Sequence, residues 1–165
     1  MLEYMRNEGI ISDSFYTWLI DNGFKKAPAS TKYHGAHNGG LYDHSKAVVA
    51  ELLELSSRLN LKWQRKESPF IVGMFHDLCK IDAYKLNDDG EWIYNDDTLL
   101  KGHGDKSVML LSQFMTLTEE EIMCIRYHMG AYQTDDWKQF DLAIKKYPNV
   151  LYTHTADMLA SKLSV

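Results

Sequence analysis

The stretch Ser68-Pro69-Phe70-Ile71-Val72-Gly73-Met74-Phe75-His76-Asp77-Leu78-Cys79-Lys80 decides how this chain is read. A serine followed by proline marks a helix start, because proline's fixed φ suits the first turn and its missing N–H is not needed there. The uncharged apolar run behind it predicts a core helix reaching to about Cys79. His76 and Asp77 fall near its end, on neighbouring positions that point about 100° apart. Both can flank one point at the rim of a core only if something compensates their burial. Asp77 capping a turn and His76 bonding a carbonyl would do so; so would a shared metal ion.

Working outward, helical periodicity dominates. Ser12 caps a helix to about Asn22, closed by Gly23, with Phe15, Trp18 and Leu19 as its apolar stripe. A turn-rich stretch, Ala27 to Gly40, holds His34 and His37. A long helix from about Leu41 to Asn60 presents Leu41, Val48, Leu52, Leu55 and Leu59 on one face, and His44 shares it. From Ile81 to about Asn95 the pattern changes to a short β-hairpin around Asp89-Gly90, the one strand signal. Helices follow from Gly104 to about Met115, from the capping box Thr118-Glu119-Glu120-Glu121 to Gly130, from Asp136 to about Lys146, and from Val150 to Leu163. The fold class is all-α: one domain over residues 1–165, a core of about 34–162, helices within 1–33 packing on it, and a hairpin insertion around 81–95.

The 165 residues suit one core, and 45% hydrophobic content is that of a globular protein. No run approaches the roughly 20 apolar residues of a membrane span, and the start carries Glu3, Arg6 and Glu8 rather than a signal-peptide run. A cytoplasmic chain is expected. Cys79 and Cys124 stand in no paired motif and read as reduced core residues, which excludes a cysteine-rich zinc site. The net charge of −5, from 18 basic and 23 acidic residues, argues against gripping a long duplex. Lys25-Lys26 and Lys145-Lys146 read as solvated helix ends. A small anionic substrate fits better.

His76 and Asp77 have company. His44 lies on an apolar stripe, His103 between two glycines at a helix start, His128 in a last helical turn, and Asp157 on the final apolar helix. Burying all six would be a heavy desolvation burden, and metal ions relieve it by pairing with every one. Imidazole and carboxylate suit manganese, iron, cobalt, nickel or zinc, with magnesium possible. Six ligands exceed what one catalytic ion with open positions needs, and they match two divalent ions sharing a carboxylate.

The order His44, His76-Asp77, His103, His128, Asp157 resembles the H…HD…H…H…D signature of the HD-domain superfamily. The flanks agree: Gly39-Gly40-Leu41-Tyr42-Asp43-His44-Ser45, Phe75-His76-Asp77-Leu78-Cys79-Lys80 and Thr155-Ala156-Asp157-Met158-Leu159-Ala160-Ser161 are each similar to a family motif. The resemblance covers about residues 34–162 and implies a helical HD fold. His44, His76, Asp77 and Asp157 would hold one metal, with Asp77 bridging to a second held by His103 and His128. The Ala36-His37-Asn38-Gly39-Gly40 run looks most like bacterial HD proteins that cleave phosphodiesters or trim RNA 3′ ends.

The expected activity is hydrolysis of a phosphoester or phosphodiester in a nucleotide or short oligonucleotide by a metal-activated hydroxide. Asp77 and Lys80 are its catalytic candidates, with Lys80 placed by the substrate phosphate. Lys80, His37, Lys106, Arg126 and His154 are substrate-binding candidates, with His34 beside them. Tyr33, Tyr42, Trp92 and Tyr132 are candidates for stacking on a base. The ligand set also suits a di-iron HD oxygenase, or a non-catalytic metal- or nucleotide-binding sensor. No heptad or symmetry signal fixes an oligomeric state.

Overall fold

A computed structural model describes residues 1–130 and 137–163 of the chain. The elements run α1 (Leu2–Asn7), α2 (Asp13–Asp21), α3 (Gly40–Leu59), α4 (Ser68–Phe75), a 3-10 turn (Leu78–Ile81), β1 (Tyr84–Leu86), β2 (Trp92–Tyr94), α5 (Gly104–Leu111), α6 (Glu119–Arg126), α7 (Trp137–Lys146) and α8 (Asn149–Lys162). The molecule is mainly helical, and β1 and β2 form an antiparallel hairpin with Tyr84 opposite Tyr94 and Leu86 opposite Trp92. Asn87 shapes its turn by accepting the backbone N–H groups of Asp89 and Glu91 on its side-chain oxygen.

Local chemistry sets the helix starts. The Ser12 hydroxyl accepts the Phe15 N–H at 3.1 Å and caps α2. Thr118 and Glu121 make both halves of a capping box on α6. Burial then orders the helices. Every helix gives residues to one apolar cluster, from Leu2 and Met5 of α1 to Val150, Ala156 and Ala160 of α8. Phe15 lies fully buried in it, stacked on Phe114 at 4.7 Å and tilted against Phe75 at 5.2 Å. Helix α3 packs on α4 and α8, and α6 packs on α5 and α8, so the two pairs share α8.

Two buried carboxylates pin the start of α6. Glu121 receives Arg65 through two nitrogens at 2.7 Å each and the Ser68 hydroxyl at 2.8 Å. Glu120 accepts the Gln64 N–H at 2.7 Å and the Asn149 amide at 2.9 Å. Charged hydrogen bonds of this kind are the stronger sort, and they offset the desolvation of both side chains. The loop before α4, the start of α6 and the start of α8 are thereby tied together.

The structure corrects several boundaries. Helix α4 stops at Phe75 rather than reaching Cys79, and Glu67, not Ser68, holds the capping position. The Ser68 hydroxyl is instead spent on Glu121. Helix α5 ends at Leu111, before Met115. His128 lies beyond the end of α6 rather than in its last turn. Leu59 is 51% exposed, because α3 outruns the core it packs on. A helix at Leu2–Asn7 adds to those read from sequence. The expected cap Asp136 and the stacking candidate Tyr132 lie outside the described residues. No helix among the described residues is long and apolar enough to cross a membrane.

Candidate metal centre

The ends of α4 and α6 repeat one local device. Just past α4, His76 Nδ1 donates to the Gly73 carbonyl at 2.9 Å; just past α6, His128 Nδ1 donates to the Ile125 carbonyl at 2.6 Å. Each imidazole thus satisfies a carbonyl near a helix end, one of the groups a helix leaves without partners. A carbonyl can only accept, so Nδ1 carries a proton, and in the neutral ring Nε2 is the atom left with its lone pair. That tautomer is the one in which a histidine binds a metal through Nε2.

These nitrogens converge on Asp77. Its Oδ2 faces His44 Nε2 at 3.8 Å and His76 Nε2 at 3.5 Å, and its Oδ1 faces His103 Nε2 at 2.9 Å and His128 Nε2 at 3.4 Å. Asp157 Oδ1 closes the first group, 3.1 Å from His44 Nε2 and 3.8 Å from His76 Nε2. The two histidines there have their Nε2 atoms 3.2 Å apart. A cation about 2.1 Å from each ligand, in tetrahedral or octahedral array, keeps neighbouring donors about 3.0–3.4 Å apart. The observed separations straddle that range. One carboxylate oxygen addresses each group, so Asp77 stands where a bridging ligand would.

The polar accounting points the same way. Asp77 Oδ1, His103 Nε2 and His128 Nε2 are buried without a hydrogen-bond partner, since their mutual approach is close but misaligned for hydrogen bonding. Orphaned polar atoms clustered at one point are costly unless a group not made of protein satisfies them all. Among the described residues three overlapping groups could hold a metal ion: His44, His76 and Asp77; His76, His128 and Asp157; and Asp77, Cys79 and His103. Burial pushes both carboxyls up, yet their neighbours prevail. Lys80, His76 and His103 hold Asp77 well below the usual range, and His44, His76 and His128 do the same for Asp157. Both are carboxylates, the ionised form in which either could bind a metal.

Two glycines let the helices come close enough for this. A Cβ at Gly73 would meet Val49 Cγ2 at 2.8 Å and Val49 Cα and N at 2.9 Å, so α3 and α4 touch backbone to backbone. A Cβ at Gly104 would meet the Ile125 and Arg126 carbonyl oxygens at 2.7 and 2.5 Å. The first contact brings His44 to His76, and the second brings His103 to His128.

Lys80 belongs to the mouth. Its ammonium lies 2.7 Å from Asp77 Oδ2; burial pulls its pKa down, but the Asp77 charge outweighs that and leaves it raised, so Lys80 stays cationic. A cavity of about 220 Å³ opens there, lined by His34, Asp77, Lys80, His154, Asp157 and Lys162 among others. His34 is half-buried with its ring 4.8 Å from that of His44. Burial, with His44 and Lys80 adding to it, lowers its pKa to about 4, so it faces the centre as a neutral imidazole.

All six expected ligands and Lys80 therefore meet. The other candidates divide. His154 lines the cavity and donates Nδ1–H to the His128 carbonyl at 2.7 Å. His37 is exposed, 3.3 Å from Asp43, in a cavity of about 570 Å³ that His34 and His44 also line. Lys106 is buried against Asp82 at 2.5 Å. Arg126 pairs with Asp105 at 3.1 Å and borders a cavity that shares no residue with the centre. Of the stacking candidates, Tyr33 is 82% exposed in the His37 cavity, while Tyr42 packs on Phe24 and receives Lys25 and Lys46 on its ring. Trp92 lines none of these cavities.

Sequence reasoning missed Lys162 in the mouth and the second role of Cys79. Both cysteines are free and buried, as expected, but Cys79 Sγ also lies 3.2 Å from His103 Nδ1. Burial and the Asp77 charge push its thiol up to about 12. It adjoins the centre, and Cys79 with Asp77 and His103 stands close enough together to hold a metal ion. Comparison with family models, curated proteins and solved structures found no match for this chain.

Proposed function

We propose that the chain is a metal-dependent phosphohydrolase of HD-domain type, acting on a phosphoester or phosphodiester of a nucleotide or short oligonucleotide. The observation that carries this reading is the placing of Asp77, one oxygen toward His44 and His76 and the other toward His103 and His128, with the Lys80 ammonium at the mouth. Asp157 would complete the first group. A pair of divalent ions held there supplies Lewis acidity and a water whose pKa is brought near neutrality.

The chain's own residues supply the rest. His76 and His128 are locked in the ligand tautomer by the Gly73 and Ile125 carbonyls and need no reorganisation. Lys80 and Lys162 give the cavity cationic walls suited to a phosphate. The two lysines in the wall favour a phosphate-bearing substrate, and so favour hydrolysis over the oxygenase reading. His34 and His154 line the same cavity, and His34 is neutral and able to accept or pass a proton.

The test is turnover. Protein supplied with Mn²⁺, Co²⁺, Ni²⁺, Fe²⁺ or Mg²⁺ should hydrolyse p-nitrophenyl phosphate, mononucleotides or a dinucleotide, and a chelator should abolish the activity reversibly. No hydrolysis with any metal, or hydrolysis that a chelator leaves untouched, would refute the proposal. Iron-specific oxygen consumption without hydrolysis would assign the chain to the oxygenase reading.

A further inference from the structure

The mouth above Asp77 has a volume of about 220 Å³, below the roughly 300–1,000 Å³ of sites that enclose a whole small molecule. It has room for a phosphate group but not for a nucleotide, so the rest of a substrate must lie in neighbouring space. There is such space on both sides. Lys80 is shared with a cavity of about 360 Å³ that runs toward the hairpin, lined also by Tyr84, Tyr94, Lys101, His103 and Lys106. His34, Ser161 and Lys162 are shared with the cavity of about 570 Å³ beside His37. A phosphate monoester has one substituent and needs one side; a diester uses two.

The two sides differ in chemistry. On the hairpin side Tyr84 and Tyr94 face each other across the ladder, ring centroids 5.3 Å apart at 49°. Neither hydroxyl makes a hydrogen bond among the described residues, and Tyr94 is 66% exposed. Tyr84 is partly buried and Tyr94 exposed, so the cross-strand pair presents open ring surface on the hairpin. Lys101 is fixed nearby by the Asp96 carbonyl and the Thr98 hydroxyl, each at 3.0 Å from its ammonium. Aromatic faces beside fixed cations are how proteins hold a base and its phosphate. The other side has only Tyr33, and its His37 is engaged with Asp43.

We propose, resting on the phosphohydrolase reading, that the substrate is a phosphodiester spanning both cavities, with a nucleobase held against Tyr84 and Tyr94 of the hairpin. The reacting phosphorus lies at the mouth, by Lys80. The hairpin insertion is then the element that selects base-bearing substrates.

The test compares kcat/KM for a uridine dinucleotide with that for its two analogues, each lacking one base, in the wild-type chain and in Tyr94→Ala and Tyr94→Phe. Circular dichroism would check that each variant is folded. The wild type should prefer a base at one of the two positions. Tyr94→Ala should reduce that preference roughly tenfold, and Tyr94→Phe should keep it. An unchanged preference in folded Tyr94→Ala, or turnover of mononucleotides with none of the dinucleotide, would overturn this inference and leave the phosphohydrolase reading standing. Failure to hydrolyse any phosphoester would overturn both.

Discussion

An Asp77→Asn protein is expected to hold fewer metal ions than the wild type and to hydrolyse a phosphoester about a thousandfold more slowly, or not at all. The substitution keeps size and shape but replaces two anionic oxygens with one neutral oxygen and an amide nitrogen that cannot ligate. Asp77 alone faces both histidine groups, through Oδ2 and Oδ1. Loss of either oxygen therefore breaks one group and removes the charge common to both. It also removes the partner of Lys80, 2.7 Å away. Elemental analysis of metal per chain and steady-state turnover, on the same preparation, would check this. Wild-type metal content with wild-type turnover would show that the Asp77 carboxylate holds no metal.

Gly73→Ala is the second large effect, and its sign is opposite to what helix propensity gives. Alanine in a helix interior is worth about 1 kcal/mol over glycine. Here the new methyl would stand 2.8–2.9 Å from Val49, two of whose three contacting atoms are backbone and cannot turn aside. Overpacking of this kind costs about 1–3 kcal/mol. Less the propensity gain, up to about 2 kcal/mol remains, so the melting temperature should fall by up to roughly 8 °C for a chain of this size. Metal should then stabilise the variant less than the wild type, because α3 carries His44 and α4 leads into His76, whose Nε2 atoms stand 3.2 Å apart. Thermal melts with and without Mn²⁺ give both numbers. An unchanged melting temperature with full metal stabilisation would mean the two helices do not meet at Gly73.

The legible part of this chain is the part encoded locally. Ser12, the Thr118–Glu121 box and the Asp89-Gly90 turn each act within four residues, and each is found where the sequence places it. The six candidate ligands were legible for a different reason: histidine and aspartate are chemically out of place on apolar helices wherever the partners lie. What was hidden depends on distant partners. Glu120 and Glu121 belong to a capping-box pattern that says nothing of their burial, yet both are buried, because Arg65, Gln64 and Asn149 are brought to them by the fold. Lys106 and Arg126 are substrate-binding candidates by sequence, and the fold engages them with Asp82 and Asp105. The need for glycine at 73 and 104 arises from one helix touching another, which no local pattern records. Tyr84 and Tyr94 read as ordinary strand residues until the register sets them side by side at a cavity.

The most direct test of the metal centre is the ion content of the chain purified without chelator and reconstituted with Mn²⁺, Fe²⁺, Co²⁺, Ni²⁺ or Zn²⁺. The arrangement of His44, His76, Asp77, His103, His128 and Asp157 predicts about two ions per chain, falling when Asp77 or His76 is replaced. A folded chain that takes up no ion from any of the five would contradict the account.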